Sequence, residues 1–133
     1  YLELVLSGVC PRQAAYGGAF ALQGTTGSGA PYYRQPGGNW LYHDLDCNGN
    51  GKPARWIIDA VEPNPSRSSD LDNDGGCAYT GRIDSASLQP PLGTQTWRLN
   101  CDGGWASVDL TLGLPYLARH QLRPFHPARH QLH

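Results

Sequence analysis

Two short acidic segments have the residue types and spacing that bind a hard cation such as calcium. In each segment, side-chain oxygens recur at alternate positions and a glycine follows, so the oxygens can point inward while the chain turns sharply. The segments are Asp44-Leu45-Asp46-Cys47-Asn48-Gly49 and Asp70-Leu71-Asp72-Asn73-Asp74-Gly75. The pattern predicts calcium ligands at Asp70, Asp72 and Asp74, and a second set with one acid fewer at Asp44, Asp46 and Asn48.

Neither segment is an EF-hand loop, because position twelve of that loop is a bidentate glutamate. The corresponding positions here hold Arg55 and Gly81. The alternative to a metal loop is a turn in which Asp and Asn side chains hydrogen-bond their own backbone. Three acids within residues 70–74 repel one another unless a cation neutralises them, which favours calcium at that segment. Calcium is thus expected as an added ligand and not as a required cofactor.

Catalytic chemistry has less support in the sequence. His43, beside Asp44, is the one histidine of residues 1–112, and no Ser or Cys lies in a G-x-S-x-G context. We therefore expect that the protein is not an enzyme, and a secreted hydrolase is the last of the functions considered. The acidic balance of residues 1–112 disfavours nucleic-acid binding. No apolar run approaches the roughly 20 residues that cross a bilayer.

The four cysteines are even in number and widely spaced, and none forms a C-x-x-C pair that would indicate structural zinc. They are Cys10, Cys47, Cys77 and Cys101. Two disulfides in a secreted or extracellular protein explain this pattern better than four free thiols in a cytosolic domain. Of the three connectivities, we expect Cys47–Cys77, which would join the two acidic segments, and Cys10–Cys101, which would join the two ends of the core.

Short β-like runs between Gly, Pro, Asn and Asp turns account for most of residues 1–112. We expect strands at Leu2–Leu6, Gly18–Leu22, Pro31–Arg34, Asn39–His43, Arg55–Ala60, Cys77–Ile83, Gln95–Leu99 and Trp105–Leu112. No segment sustains a helical apolar period over three turns. The sequence predicts an all-β fold, a small disulfide-stabilised antiparallel sandwich or barrel. This β-domain spans residues 1–112.

Residues 113–133 differ in composition and predict an extended C-terminal arm rich in Pro, Arg and His. Residues 1–112 carry eleven acids and seven bases, a net charge of −4, whereas residues 113–133 carry three bases and no acid, a net charge of +3. Opposite charges favour docking of the arm on another copy of the protein. The expected contact residues are Arg119, Arg123, Phe125 and Arg129.

The four tryptophans all lie on expected strands. They are Trp40, Trp56, Trp97 and Trp105. Their aliphatic sequence neighbours favour a place in the core, where each large ring would bury much apolar area. As an alternative, exposed tryptophans could stack on sugar rings and bind glycans.

Four segments of the chain resemble a family of extracellular β-modules. The segments are Gly17–Gly24, Gly29–Tyr33, Trp40–Tyr42 and Arg55–Ile58. They are similar to the G-x-Y/F-x-x-x-G, G-x-P-x-Y, L-Y and W-x-I motifs in secreted and surface proteins of algae and other microbial eukaryotes. The resemblance covers roughly residues 5–60 and implies a surface or matrix β-domain of unassigned function.

Together these features predict an extracellular structural module that self-associates through its basic arm into a matrix, surface layer or filament. The alternative is a calcium-dependent carbohydrate-binding module. Copies of the protein itself are the expected partners, with glycans as the alternative partner and no insertion into a membrane.

Overall fold

The computed structural model describes residues 1–115, which form a closed barrel of eight antiparallel strands. Each strand pairs with the next along the chain, and the last strand pairs with the first. The strands are β1 (Glu3–Ser7), β2 (Gly18–Thr25), β3 (Pro31–Arg34), β4 (Trp40–Asp44), β5 (Arg55–Asp59), β6 (Gly81–Asp84), β7 (Gly93–Cys101) and β8 (Gly104–Gly113). The all-β prediction is confirmed, and of the two architectures expected the chain forms the barrel.

The observed strands follow the expected ones, with the largest difference at β6. The sequence predicts a strand over Cys77–Ile83, whereas β6 begins at Gly81. Cys77 and Tyr79 pack instead against a cluster on the outer surface of the barrel. A 3₁₀ helix over Pro11–Tyr16 between β1 and β2 was not expected from the sequence.

The main core fills the inside of the barrel. An eight-stranded barrel is just wide enough for side chains to fill its interior. Trp56 and Trp97 lie there fully buried, and Phe20 and Tyr33 pack with them. The core is completed by aliphatic residues at the inward-facing, alternate positions of the strands. They include Leu4, Leu6, Leu41, Ile58, Leu99, Leu110 and Leu112.

A second core lies outside the barrel, on the outer surface of β4 and β5. Every residue of these two strands is buried, which requires cover on both faces of the sheet. The outward side chains of Tyr42 and Ile57 pack with Trp40, Cys47 and Leu71. The cover consists of residues 45–54 and 60–80, the loops between β4 and β5 and between β5 and β6, which we call the cap. Both acidic segments belong mainly to the cap.

Two disulfides close the structure. Cys10–Cys101 joins the start of the 3₁₀ helix to the end of β7, and Cys47–Cys77 joins the two loops of the cap. These are the two pairs expected from the sequence. Two disulfides indicate an oxidising compartment such as the extracellular space.

Within residues 1–115, no helix has the length and apolar character to cross a membrane. The last strand ends at Gly113. The expected arm contacts at Arg119, Arg123, Phe125 and Arg129 lie outside the described residues.

Candidate functional site

The second acidic segment forms a cluster of carboxylates on the cap. Asp70, Asp72 and Asp74 each offer an oxygen, and these oxygens lie within 4.8 Å of one another. Left-handed backbone conformations at Asp70 (φ 47°) and Asn73 (φ 58°) curl the loop. The Gly75 N–H donates to the carboxylate of Asp70, at 3.2 Å from either oxygen. The structure therefore brings together the three residues that the sequence predicted as calcium ligands.

A fourth carboxylate, from the barrel, faces this cluster. Asp59 at the end of β5 is buried and accepts a hydrogen bond from the Tyr42 hydroxyl at 3.2 Å. Burial raises the pKa of Asp59 above its ordinary value, although backbone N–H groups partly offset the effect. Asp59 lies outside the alternating pattern of the acidic segments, because it ends an apolar strand. Only the packing of the cap on β5 brings it near.

Mutual repulsion among these carboxylates acts on Asp72. Partial burial and, to a lesser extent, the neighbouring Asp74, Asp59 and Asp70 together raise the pKa of Asp72 to about 7. Arg67 is the nearest counter-charge to Asp70, at a long 3.8 Å. Carboxylate oxygens are the kind of ligand that Ca²⁺ prefers. Asp70, Asp72 and Asp74, here called the acidic cluster, are the residues that would hold such an ion.

The first acidic segment has a different role. Asp44 is only 1% exposed, and its carboxylate accepts backbone N–H groups from Asp46, Asp70 and Leu71, each at 3.0 Å. Burial raises the pKa of Asp44, and these hydrogen bonds oppose the increase. The residue thus anchors one cap loop to the other.

The remaining oxygens of the first segment also bind backbone. The Asp46 carboxylate accepts the N–H groups of Gly51 and Lys52, and Asn48 accepts that of Asn50 at 2.8 Å. This is the turn geometry that the sequence left open as the alternative to a metal loop. In residues 1–115, the carboxylate group suited to a cation is that of residues 70–74. Asp44, Asp46 and Asn48 are not brought together as a ligand set.

A basic and aromatic surface lies on β6, β7 and β8, next to the end of the cap at Tyr79. Trp105 is 42% exposed, whereas Trp40 is 7% exposed and both Trp56 and Trp97 are fully buried. Three of the four tryptophans are therefore core residues, and one is available to a ligand. The Tyr79 ring meets Trp105 edge-on, with 5.7 Å between ring centroids.

Arginines complete this surface. The Arg82 guanidinium lies 5.8 Å from the Trp105 ring centroid and 5.9 Å from that of Tyr79. Beside it is an open groove of about 290 Å³. The groove is lined by Arg82, Ile83, Asp84, Thr96 and Arg98. We call Tyr79, Arg82, Arg98 and Trp105 the basic-aromatic face.

The sequence did not identify the arginines of this face. Arg82 and Arg98 are sixteen positions apart, and only the register of β6 and β7 places them opposite each other. A usable signal was the alternation within each strand, where Thr96 and Arg98 share one side. The alternation does not show which strands pair. Without that pairing, Arg82 and Arg98 cannot be placed opposite each other.

His43 does not form a catalytic pair with its neighbour Asp44. Its ring points into the barrel, packs edge-on against Trp56, and places Nε2 2.7 Å from the Ser85 carbonyl oxygen. Its Nδ1 has no hydrogen-bond partner within residues 1–115. Asp44 points to the other face of β4, toward the cap. The described residues therefore give the hydrolase hypothesis no histidine–carboxylate pair.

Comparison with known proteins gave no match to a family model, a curated protein or a solved structure. The resemblance of residues 5–60 to extracellular β-modules therefore stays a prediction. Function has to be inferred from the geometry of the two surfaces described above.

Proposed function

We propose that the protein is a non-catalytic extracellular module that binds carbohydrate through the basic-aromatic face. The observation that carries this proposal is the exposure of Trp105 beside an open, polar-lined groove. Aromatic side chains with one apolar and accessible surface are common anchors of binding sites, since they combine a large contact area with few rotatable bonds. Sugar rings present apolar C–H faces that can stack on such a ring.

In this proposal calcium would act by binding to the cap. Tyr79, which meets Trp105, lies two residues after Cys77 and belongs to the cap that carries the acidic cluster. An ion bound by Asp70, Asp72 and Asp74 would neutralise their repulsion and reduce the motion of the cap. Calcium would then support binding by holding Tyr79 in place, without contacting the sugar.

An array of neutral, uronate-containing and sulfated glycans, probed with the purified protein in calcium, tests the proposal. We expect the wild type to bind at least one glycan class. Trp105→Ala should lower its affinity at least about tenfold, because truncating a central aromatic anchor costs more than about 1.4 kcal/mol. Tyr1→Ala is the matched control, since Tyr1 is also an exposed aromatic residue, 55% exposed and distant in sequence.

Two results would contradict carbohydrate binding. One is the absence of binding to every glycan at millimolar concentration. The other is equal affinity of the wild type and Trp105→Ala for the glycan that binds.

We also propose self-association through residues 113–133, as a second function. The supporting observation is the division of charge, −4 for residues 1–112 against +3 for residues 113–133. The acidic residues of the cap, including half-buried Asp46 and exposed Asp74, supply negative charge to a docking surface. Light scattering of the full chain and of a variant ending at residue 115 tests this proposal. We expect a larger, salt-sensitive species for the full chain only, and equal masses would exclude the arm as the contact.

A further inference from the structure

Arg82 and Arg98 form a pair of like charges on an exposed sheet surface. They are direct cross-strand partners on β6 and β7. Their Cβ atoms are then about 5 Å apart, and like charges at such positions repel each other. A pair of this kind weakens the sheet unless something negative lies between the two side chains.

The protein itself supplies little negative charge to this pair. Arg82 Nε lies 3.7 Å from Asp84 Oδ1, but the same oxygen is 3.2 Å from Arg55 Nε. One carboxylate is therefore shared by two guanidinium groups. The other nearby acid, Asp109, accepts a hydrogen bond from Thr96 at 2.7 Å.

Arg98 retains donors for a ligand. Its guanidinium bonds to the Ser107 hydroxyl at 3.1 Å and to the Trp105 carbonyl oxygen at 3.5 Å, both neutral acceptors. Within residues 1–115 it forms no ion pair. A guanidinium has five N–H donors in a planar fork, which suits a carboxylate or sulfate that accepts two parallel hydrogen bonds.

The position of Trp105 decides which kind of anion fits. Arg98 bonds to the backbone of Trp105, and Arg82 lies beside its ring. A ligand bound between the arginines would therefore present an apolar surface to the Trp105 ring next to its negative group. A glycan with charged substituents has both features, whereas an acidic peptide has no such apolar ring face beside each carboxylate.

We infer that the ligand of this face is an anionic glycan, whose sulfate or carboxylate binds between Arg82 and Arg98 while a sugar ring stacks on Trp105. This inference rests on the proposed carbohydrate binding. Sulfate and carboxylate groups have the same relevant chemistry: each is an oxyanion that accepts paired hydrogen bonds. Arg98 is the residue that sets the preference for charged over neutral sugars.

Titration calorimetry with three sets of oligosaccharides of equal length tests the inference. The sets are neutral galactose oligomers, their sulfated counterparts and oligogalacturonates, and the latter two distinguish sulfate from carboxylate. We expect at least one charged set to bind the wild type about tenfold or more tightly than the neutral set, as charge-assisted pairs do. Arg98→Gln should bring the charged and neutral affinities to within about twofold of each other, because the charged set loses its paired hydrogen bonds.

Two further variants make the test specific. Arg98→Lys retains the positive charge but lacks the planar set of guanidinium donors. Its preference for charged over neutral sugars should lie between those of the wild type and Arg98→Gln. Arg12→Gln removes an exposed arginine from the 3₁₀ helix and should behave as the wild type. A thermal melt of each variant confirms that the barrel is folded.

The outcomes separate this inference from the proposed function. Equal binding of neutral and charged sets, or an unchanged preference in Arg98→Gln, overturns the anionic ligand and leaves carbohydrate binding in place. Binding of none of the three sets overturns the inference, and absence of binding to every glycan of the array overturns the proposed function as well. Polyglutamate or single-stranded DNA binding as tightly as the best glycan would show a general polyanion surface and also overturns the inference.

Discussion

Arg82 on β6 lies directly opposite Arg98 on β7, so the barrel carries two like charges at neighbouring positions of its outer wall. Arg82 is held by stacking beside Trp105 and Tyr79 and by its share of Asp84. Arg98 has only neutral acceptors. The arrangement is unfavourable for stability and favourable for binding an anion, as is common at functional sites.

Arg98→Gln should therefore stabilise the unliganded protein slightly. Removing one of two facing like charges is expected to raise the free energy of unfolding by about 0.5 kcal/mol at low ionic strength. Because salt screens exposed charges, the gain should shrink toward zero near 0.5 M NaCl. Urea titrations at both ionic strengths measure the difference, and a destabilised variant at low salt would contradict the repulsion.

Asp72 should make stability depend on pH when calcium is absent. Burial and the neighbouring acids raise its pKa to about 7 in the folded protein, against an ordinary value of 3.8. Between these pH values the folded protein holds the proton more tightly than the unfolded chain does. The free energy of unfolding therefore falls as pH rises from about 4 to about 7.

Asp72→Asn isolates that effect because asparagine does not ionise. Near pH 4 the variant and the wild type should be about equally stable. Above pH 7, in EDTA, the variant should be more stable by about 1 kcal/mol, a reduced value because the carboxylate is partly exposed and screened by solvent. Thermal melts across this pH range measure the difference, and a variant that is less stable at pH 8 would refute the repulsion.

Calcium should reverse the order of stability of the wild type and Asp72→Asn. At pH 7.5 a millimolar excess of Ca²⁺ is expected to raise the melting temperature of the wild type, since a ligand that binds only the folded state stabilises it. Asp72→Asn should show a smaller increase. Asp109→Asn, which removes a carboxylate from β8 instead, is the control and should respond to calcium as the wild type does. An identical response of Asp72→Asn would exclude this residue as a ligand.

The Cys47–Cys77 disulfide should stabilise the cap more than the barrel. It closes a segment with a sequence separation of 30, and removing it with Cys47→Ala and Cys77→Ala is expected to cost about 3–4 kcal/mol. Hydrogen exchange should become faster in residues 60–80 while β1, β2 and β8 keep their protection. Uniform loss of protection across the barrel would show that the cap and barrel unfold as one unit.

Asp44 should anchor the cap through hydrogen bonds and not through a metal. Asp44→Asn replaces one acceptor oxygen by an NH₂ group facing the N–H groups of Asp70 and Leu71, so we expect a loss of about 1–3 kcal/mol. Asp46→Asn, at a less buried position in the same segment, should cost less. Urea titrations in EDTA and in calcium should give the same loss. A loss that appears only in calcium would make Asp44 a ligand.

Gly81 should tolerate no side chain. A Cβ at this position would lie 2.4 Å from Leu99 Cδ1 and 3.2 Å from Ile58 Cδ1 in the barrel interior. Gly81→Ala is therefore expected to cost about 1–3 kcal/mol from overpacking. Gly103→Ala is the matched control, because nothing lies within 4 Å of its Cβ position. Equal stability of the two variants would show that the core can relax around the added methyl group.

Several strands could be predicted from short stretches of sequence. Pro31–Arg34 coincides with β3, and Arg55 begins β5 as expected, because β-rich runs bounded by turn residues need only neighbouring residues to be recognised. The acidic segment at residues 70–74 was recognised for the same reason, since its ligand spacing is contained in one loop. The role of Asp44 could not be read in this way, because its alternating pattern is the same whether its oxygens face a metal or the N–H groups of a distant loop.

The sequence by itself determined that this protein is an all-β domain with two disulfides and three crowded carboxylates at residues 70–74. These properties follow from residue type and short-range spacing. Only the tertiary structure decided that the strands close into a barrel, that Trp105 alone of the four tryptophans is exposed, and that Arg82 faces Arg98. Each of these depends on which strands pair and in which register, and register is set by contacts between residues far apart in the chain.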